Sequence, residues 1–425
     1  MVAARRSIAL VAFALLTVAQ AQTLEDQEVA DRTDDDLLNE IDVPPEEEGF
    51  SEFTGYFEAQ IRYFPETPLS PKQHNGPDLS LAAEPEYYYE WPSGEWSFTG
   101  KLFGRLDSQD PNRTHFDVRE FNFLTFGDDW ELLVGVGKVF WGVTESRHVV
   151  DIINQTDLVE NPDEEEKLGQ PMIKFDWIQD WGTLSFFYLP YFRERTFPGP
   201  QGRLRTIPYV DEHQSQYESS LAQWHPDLAI RWAHYFDDID IGLYYFYGTS
   251  RDPVFTPGQR GGEPVLIPNY NLMHQVGLDL QYTVDAWLWK FEGIVRSGKG
   301  QHFQAFTGGF EYTFYGLFES DADLGTLVEY SYHSLQNQAV TPFENDIFAG
   351  LRLTLNDEWD TTILAGPVID ADSGSTSVRL EAERRLDDHW KLFFEAQTFN
   401  DIPANNQFAS FRRDSFVSLS LRWYY

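Results

Sequence analysis

The chain ends on Ser415-Phe416-Val417-Ser418-Leu419-Ser420-Leu421-Arg422-Trp423-Tyr424-Tyr425. Val417, Leu419, Leu421 and Trp423 alternate with Ser418, Ser420 and Arg422. A period of two sends successive side chains to opposite faces of an extended strand, and helical spacing does not fit it. The same alternation recurs upstream. Phe57, Ala59, Ile61 and Tyr63 interleave with Glu58, Gln60 and Arg62; Ile347, Ala349, Leu351 and Leu353 interleave with Gly350, Arg352 and Thr354; Val378, Leu380 and Ala382 interleave with Arg379, Glu381 and Glu383. The body of the chain is therefore all-β.

Alternation alone does not separate a soluble sandwich from a membrane barrel, but the connections do. The pattern predicts about 18 strands between residues 53 and 425, with 16 the alternative if the segments near 171–178 and 360–370 merge or drop out. Every second connection is short, as at Pro92-Ser93-Gly94, Gly127-Asp128-Asp129, Asp237-Asp238 and Asp285-Ala286, with the longer Gly316–Leu324 the exception. The others are mostly long: 65–78, 107–114, 142–170, 196–226, 250–270, 335–344 and 401–413. Short turns at one end and long loops at the other predict a transmembrane antiparallel β-barrel with periplasmic turns and extracellular loops. Several turns carry an acidic residue followed closely by Trp (Trp130, Trp181, Trp287, Trp359, Trp390), which suits an interfacial aromatic girdle. Around Arg119-Glu120 the alternation slips by one residue, which predicts a β-bulge.

Composition agrees. The 425 residues carry 31 Lys+Arg against 69 Asp+Glu, a formal net charge of −38, which excludes nucleic acid as a partner. There is no cysteine, which excludes disulfides and thiolate metal chemistry. Aromatics reach 16%, and past the N-terminus no apolar run approaches the roughly 20 residues of a membrane helix. Residues 1–21 read as a secretory signal peptide: Arg5-Arg6, an apolar run from Ile8 to Val18, then Ala19-Gln20-Ala21. Residues 22–50 contain Asp34-Asp35-Asp36 and Glu46-Glu47-Glu48 and read as a flexible acidic periplasmic leader; the barrel is expected over 51–425.

The aromatic C-terminal strand resembles the signal by which Gram-negative outer-membrane proteins are recognised for barrel assembly. That resemblance implies the outer membrane as location, with its lipid and the assembly machinery as partners. A second resemblance rests on Gly137-Lys138-Val139-Phe140-Trp141-Gly142 and the following Asp151-Ile152-Ile153-Asn154-Gln155-Thr156-Asp157. It is similar to porin-like families, including alginate-export-like and related uncharacterised barrels, in which a strand closing on Trp-Gly leads into an Asp-x-x-Asn-Pro-x-Asp loop. Gln155 stands where that pattern usually has Pro.

About 18 strands enclose an aqueous lumen, where eight would not. Alternation assigns to its lining Arg62, Lys101, Arg105, Arg119, Lys174, Arg231, Lys290, Arg296, Arg352, Arg379, Lys391 and Arg422. The acidic lining comprises Glu58, Asp279, Glu292, Glu311, Glu329, Glu381 and Glu395. The connection 142–169 has apolar residues that need burial, so it is expected to fold inward as a pore constriction presenting Arg147, His148, Asp151, Asn154 and Asp157 to solute. An external flap is the alternative. Val149–Asn154 is a candidate short helix, and the loop's acidic excess favours cations.

Two functions follow: a channel passing small hydrophilic solutes passively or selectively, or a barrel that anchors or binds a surface partner without transport. No catalytic constellation, metal set or cofactor motif is legible. The ten histidines are scattered, and Glu145-Ser146-Arg147-His148 places a Ser near a His only in sequence. Asp-rich turns such as Asp370–Gly374 are what turns require. Whether the barrel is a monomer or a trimer is not written in the pattern.

Overall fold

The computed structural model describes residues 49–299, 301–336, 341, 344–404 and 406–425. The expected signal peptide, and the acidic leader as far as Glu48, lie outside the described residues; Phe50, assigned to the leader, instead opens the first strand.

One sheet contains 18 strands. They begin with β1 (Phe50–Tyr63), β2 (Asp78–Glu90), β3 (Trp96–Asp107), β4 (His115–Phe126), β5 (Trp130–Gly137), β6 (Gln170–Gln179) and β7 (Gly182–Leu189). After a two-residue strand in a connection, β8 (Gln216–Tyr217), the sheet resumes with β9 (Asp227–Phe236) and β10 (Ile239–Thr249). A hairpin of β11 (Val254–Arg260) and β12 (Glu263–Tyr270) intervenes before β13 (Leu272–Val284), β14 (Trp287–Gly298), β15 (Gln301–Phe314) and β16 (Asp323–His333). The last five are β17 (Asn345–Thr354), β18 (Thr362–Asp370), β19 (Thr376–Arg385), β20 (Trp390–Asn400) and β21 (Phe416–Tyr424). Every neighbouring pair is antiparallel, and β1 closes on β21 with Ala59 opposite Leu421 and Arg62 opposite Ser418. The barrel is closed, so the sheet has no free edge.

The period-two pattern is what closes it. Along β14, Trp289, Phe291 and Val295 are exposed on the outside while Lys290, Glu292 and Arg296 are buried inside. Leu351 and Leu419 likewise face out, whereas Arg352 and Arg422 turn in to meet Glu145 and Glu58. The outer apolar belt ends at the short turns in a ring of Trp, with Trp130 opposite Trp177 and Trp390 opposite Trp423. Two-residue turns need a left-handed residue, and Asp237 (φ 49°) and Asp285 (φ 52°) supply it. The bulge is present: Lys101 pairs with Glu120 and Leu102 with Val118, which leaves Arg119 as the extra residue.

Two wall strands are shorter than their alternation suggests. The alternation predicts strands over 130–141 and 183–195, but β5 stops at Gly137 and β7 at Leu189, where the chain leaves the wall and turns inward. The three-stranded sheet of β8, β11 and β12 within the long connections carries no alternation that marks it in the sequence.

Candidate functional site

The connection from Lys138 to Gly169 lies inside the barrel. Trp141, Val149, Val150, Ile152 and Ile153 pack into one core with Phe187, Tyr244, Phe246, Met273, Ile294 and Phe303 of the wall. Val150 and Ile153 are wholly buried. The expected helix over Val149–Asn154 is not formed; the segment is irregular, and wall groups satisfy its backbone instead. Glu292 Oε1 accepts from Val143 N (2.7 Å), Thr144 N (3.0 Å) and Thr144 Oγ1 (2.7 Å), while Oε2 accepts from Val150 N (3.3 Å). Glu329 accepts from Glu145 N (2.7 Å), Ser146 N (2.7 Å) and Ser146 Oγ (2.6 Å). Gly142 (φ 156°) turns the chain at this point. A Cβ there would stand 2.7 Å from His148 Nδ1 and 3.1 Å from Glu292 Oε1, so the close approach needs glycine.

The chain then returns to β5 and advances along the opposite wall. Asn154 braces it, accepting from Val139 N (2.9 Å) and donating to the carbonyls of Gly137 (2.9 Å) and Leu168 (2.8 Å). Asp157 is held by Arg119 (2.6 Å) and His115 (3.1 Å), and Glu160 by Arg105 (2.8 Å). Asp163 meets Arg379 (2.5 Å), and Asn161 donates to Glu395 (3.1 Å). One lobe thus reaches β14, β16 and β17; the other reaches β3, β4, β19 and β20.

Asn154 and Asp157 were expected to meet solute, and they do not. Both are buried, one as a backbone brace and the other as an ion-pair partner. Asp151 is turned the same way, onto Trp141 N (3.4 Å) and Lys167 (3.2 Å). Burial raises the Asp151 carboxyl above its ordinary range despite Lys167. Arg147 and His148 keep partial exposure. Burial alone would depress the His148 imidazole, but Glu165 and Glu292 lift it to about 10, so it is a cation at neutral pH.

The residues assigned to the lining all sit on the interior face, but in two groups. Glu58, Arg62, Arg105, Arg119, Asp279, Lys290, Glu292, Arg296, Glu311 and Glu329 are buried beneath the inward segments. Lys101, Lys174, Arg231, Arg352, Arg379, Lys391, Arg422, Glu381 and Glu395 retain partial exposure. Most acids that made the loop look strongly anionic are matched by bases: Glu145 by Arg352 and Lys290, Asp151 by Lys167, Asp157 by Arg119, Glu160 by Arg105, Asp163 by Arg379 and Glu164 by Arg195. The loop's charge excess is therefore mostly cancelled at the wall, and cation preference does not follow from the loop alone.

His148 lies 3.5 Å from Glu165, and Glu165, Glu381 and Arg379 have side-chain exposures of 50%, 39% and 29%, so solvent reaches these groups. Between Arg352 on β17 and Arg379 on β19, the inward positions Leu364, Gly366 and Val368 of β18 carry no charge. Sequence reading did not single out this uncharged stretch of the wall. It also missed Arg113, Arg195, Arg203 and Arg251, loop residues that bury their guanidinium groups inside. The available signal was arginine placed in long connections of an otherwise acidic chain. Asp163, Glu381 and Glu395 bring carboxylate oxygens within 4.8 Å of one another, with the Arg379 guanidinium among them.

No protein-family model and no curated protein matches the chain. Among solved structures, a triple mutant of Rhodopseudomonas blastica porin is similar at 12% identity, covering 88% of this chain and 100% of its own, with a TM-score of 0.44. A loop-deletion mutant of OmpT, an outer membrane protein of Vibrio cholerae, is similar at 9% identity over 89% and 99% of the two chains, also at 0.44. The assignment rests on the chain itself: a closed 18-stranded antiparallel sheet with an apolar outer belt and a Trp ring at the turn end. The chain is a closed transmembrane antiparallel β-barrel. In such a barrel a segment folded across the lumen decides what space is left.

Proposed function

We propose that the protein is an outer-membrane channel, not an enzyme, through which small hydrophilic solutes diffuse past an eyelet between the inward loop and β18. The observation that carries this reading is the clamped loop. Two wholly buried wall carboxylates, Glu292 and Glu329, each take three or more donors from residues 143–150, which holds the loop across the lumen in one place. A fixed narrowing with charged rims selects solutes by size and charge, because fields are less screened in a narrow, low-dielectric passage than along a wide wall. Arg147, His148, Glu145 and Glu165 form the loop rim, and Arg352, Arg379, Glu381 and Glu395 the wall rim. Residues 1–21 direct export and 22–49 form a periplasmic leader in this reading, with the long connections extracellular. The test is conductance of the refolded chain in a planar bilayer. Steady open-channel steps are expected; a barrel that inserts and never conducts would favour an anchoring or binding platform.

A further inference from the structure

On the loop-end side of the constricting segment lies a pocket bounded by the ends of β14, β15 and β16 and by the inward connections. Its charge runs against that of the chain. Arg147, Lys167, Arg195, Arg251 and Arg296 line it, together with the cationic His148, against only Asp151, Glu164 and Asp252, so cations outnumber carboxylates. The whole protein has 31 bases to 69 acids.

The acids present are already engaged. Asp252 is shared by Arg195 (2.9 Å) and Arg296 (2.8 Å), Glu164 is bound to Arg195 (3.2 Å), and Asp151 is held by Lys167 (3.2 Å). Arg251 pairs with Asp227 outside the pocket (2.7 Å), and its buried Nε has no hydrogen-bond partner among the described residues. Arg195 and Arg296 each donate to a different oxygen of this one carboxylate, so the two guanidinium groups together already grip a carboxylate through charge-assisted hydrogen bonds. The Asp252 side chain is 36% exposed, so the place where the arginines converge is open to solvent. The rest of the lining is mixed: His148, Asn154, Thr156, His333 and Thr341 are polar, while Val149, Ile152, Ile294 and Leu335 form an apolar part with the ring of Phe303, which lies 4.9 Å under the Arg296 guanidinium.

We propose that this pocket binds a small organic carboxylate, its anionic end on Arg195 and Arg296 and its apolar body against Phe303 and Ile294. The inference rests on the channel reading and names the class of solute concentrated above the eyelet. Asp252 then acts as a resident competitor, occupying both arginines until a solute carboxylate joins or displaces it. An apolar body gives the site a reason to prefer such a solute over a bare anion.

The test is a calorimetric titration of the refolded full-length barrel with benzoate, acetate, inorganic phosphate and benzylammonium. Benzoate should bind saturably, and acetate, phosphate and benzylammonium at least about tenfold more weakly. Losing one charged donor in Arg296→Gln should weaken benzoate about tenfold or more. Phe303→Leu keeps every charge and should weaken benzoate while leaving acetate unchanged. Asp252→Asn should tighten benzoate several-fold, because the competitor loses its charge; a merely bracing Asp252 would give weaker binding. These last two variants decide the matter even where Arg296→Gln does not refold. Phosphate or benzylammonium binding as well as benzoate, or a looser Asp252→Asn, would overturn the proposal. Bilayer recordings on the same protein separate the two readings. Benzoate binding without open-channel steps leaves the pocket and overturns transport. Open steps with no benzoate binding overturn the pocket alone.

Discussion

Removing the Glu292 carboxylate should release the tip of the inward loop without expelling the loop from the barrel. In Glu292→Ala, Val143 N, Thr144 N and Thr144 Oγ1 lose an acceptor at 2.7, 3.0 and 2.7 Å, and His148 loses a counter-ion at 3.5 Å. Unsatisfied buried donors cost about 1–3 kcal/mol each, and breaking a buried charge pair from one side costs about 3–5 kcal/mol. These contributions overlap, so about 3–5 kcal/mol is expected for the tip. Opposing release are Val150, Ile152 and Ile153, all buried; each contributes about 1.5–3 kcal/mol. The apolar anchor therefore outlasts the clamp, and only residues 143–148 loosen. Hydrogen exchange of the Val143 and Thr144 amides should accelerate about a hundredfold or more. Single-channel current should become noisier, while the folded barrel keeps its heat-resistant migration on a gel. Unchanged protection at those amides would refute the clamp.

The other expectations concern pH, the lipid face and the eyelet. His148 is raised from an unfolded value of about 6.5 to about 10, so its contribution is fully present below the lower value and is lost as pH rises through the upper one. Loop-tip exchange and current noise should rise on the alkaline side, and His148→Gln should abolish that transition; a transition surviving in the variant would assign it elsewhere. Leu351→Arg places a charge on the lipid face and should cost about 2–4 kcal/mol near the midplane, read by unfolding in vesicles; no cost would reverse the facing. Val368→Trp narrows the eyelet from β18 and should lower conductance, whereas Ile369→Trp, one residue on and facing out, should leave it unchanged. Equal effects of the two would place the passage away from β18.

The wall was legible because its physics is local. A strand buried on one side and bathed in lipid on the other must alternate, and each of the 18 strands carries that period or is bounded by a turn that does. The bulge at Arg119 was legible for the same reason, as a slip in phase. The interior was not, because its partners are set by closure of the sheet. Nothing near Glu292 in sequence says that it will receive the amides of Val143 and Thr144, 149 and 148 residues away. That the segment 142–169 carries apolar residues in need of cover was readable; that Asn154 and Asp157 are consumed in holding it, rather than exposed, depends on Gly137, Leu168 and Arg119 lying opposite. The sheet of β8, β11 and β12 was missed because Pro257, Pro264 and the glycines of 258–262 read as loop, although Gly261 (φ 60°) and Gly262 (φ 88°) form the turn of its hairpin.

The most direct measurement is single-channel conductance of the refolded chain beside a variant lacking Val149–Glu166. If the inward loop constricts an open passage, the intact protein gives discrete steps and the deletion gives larger ones with weaker discrimination between anions and cations. Identical conductance in the two would show that the loop does not limit the pore, and an absence of steps in both would contradict the channel itself.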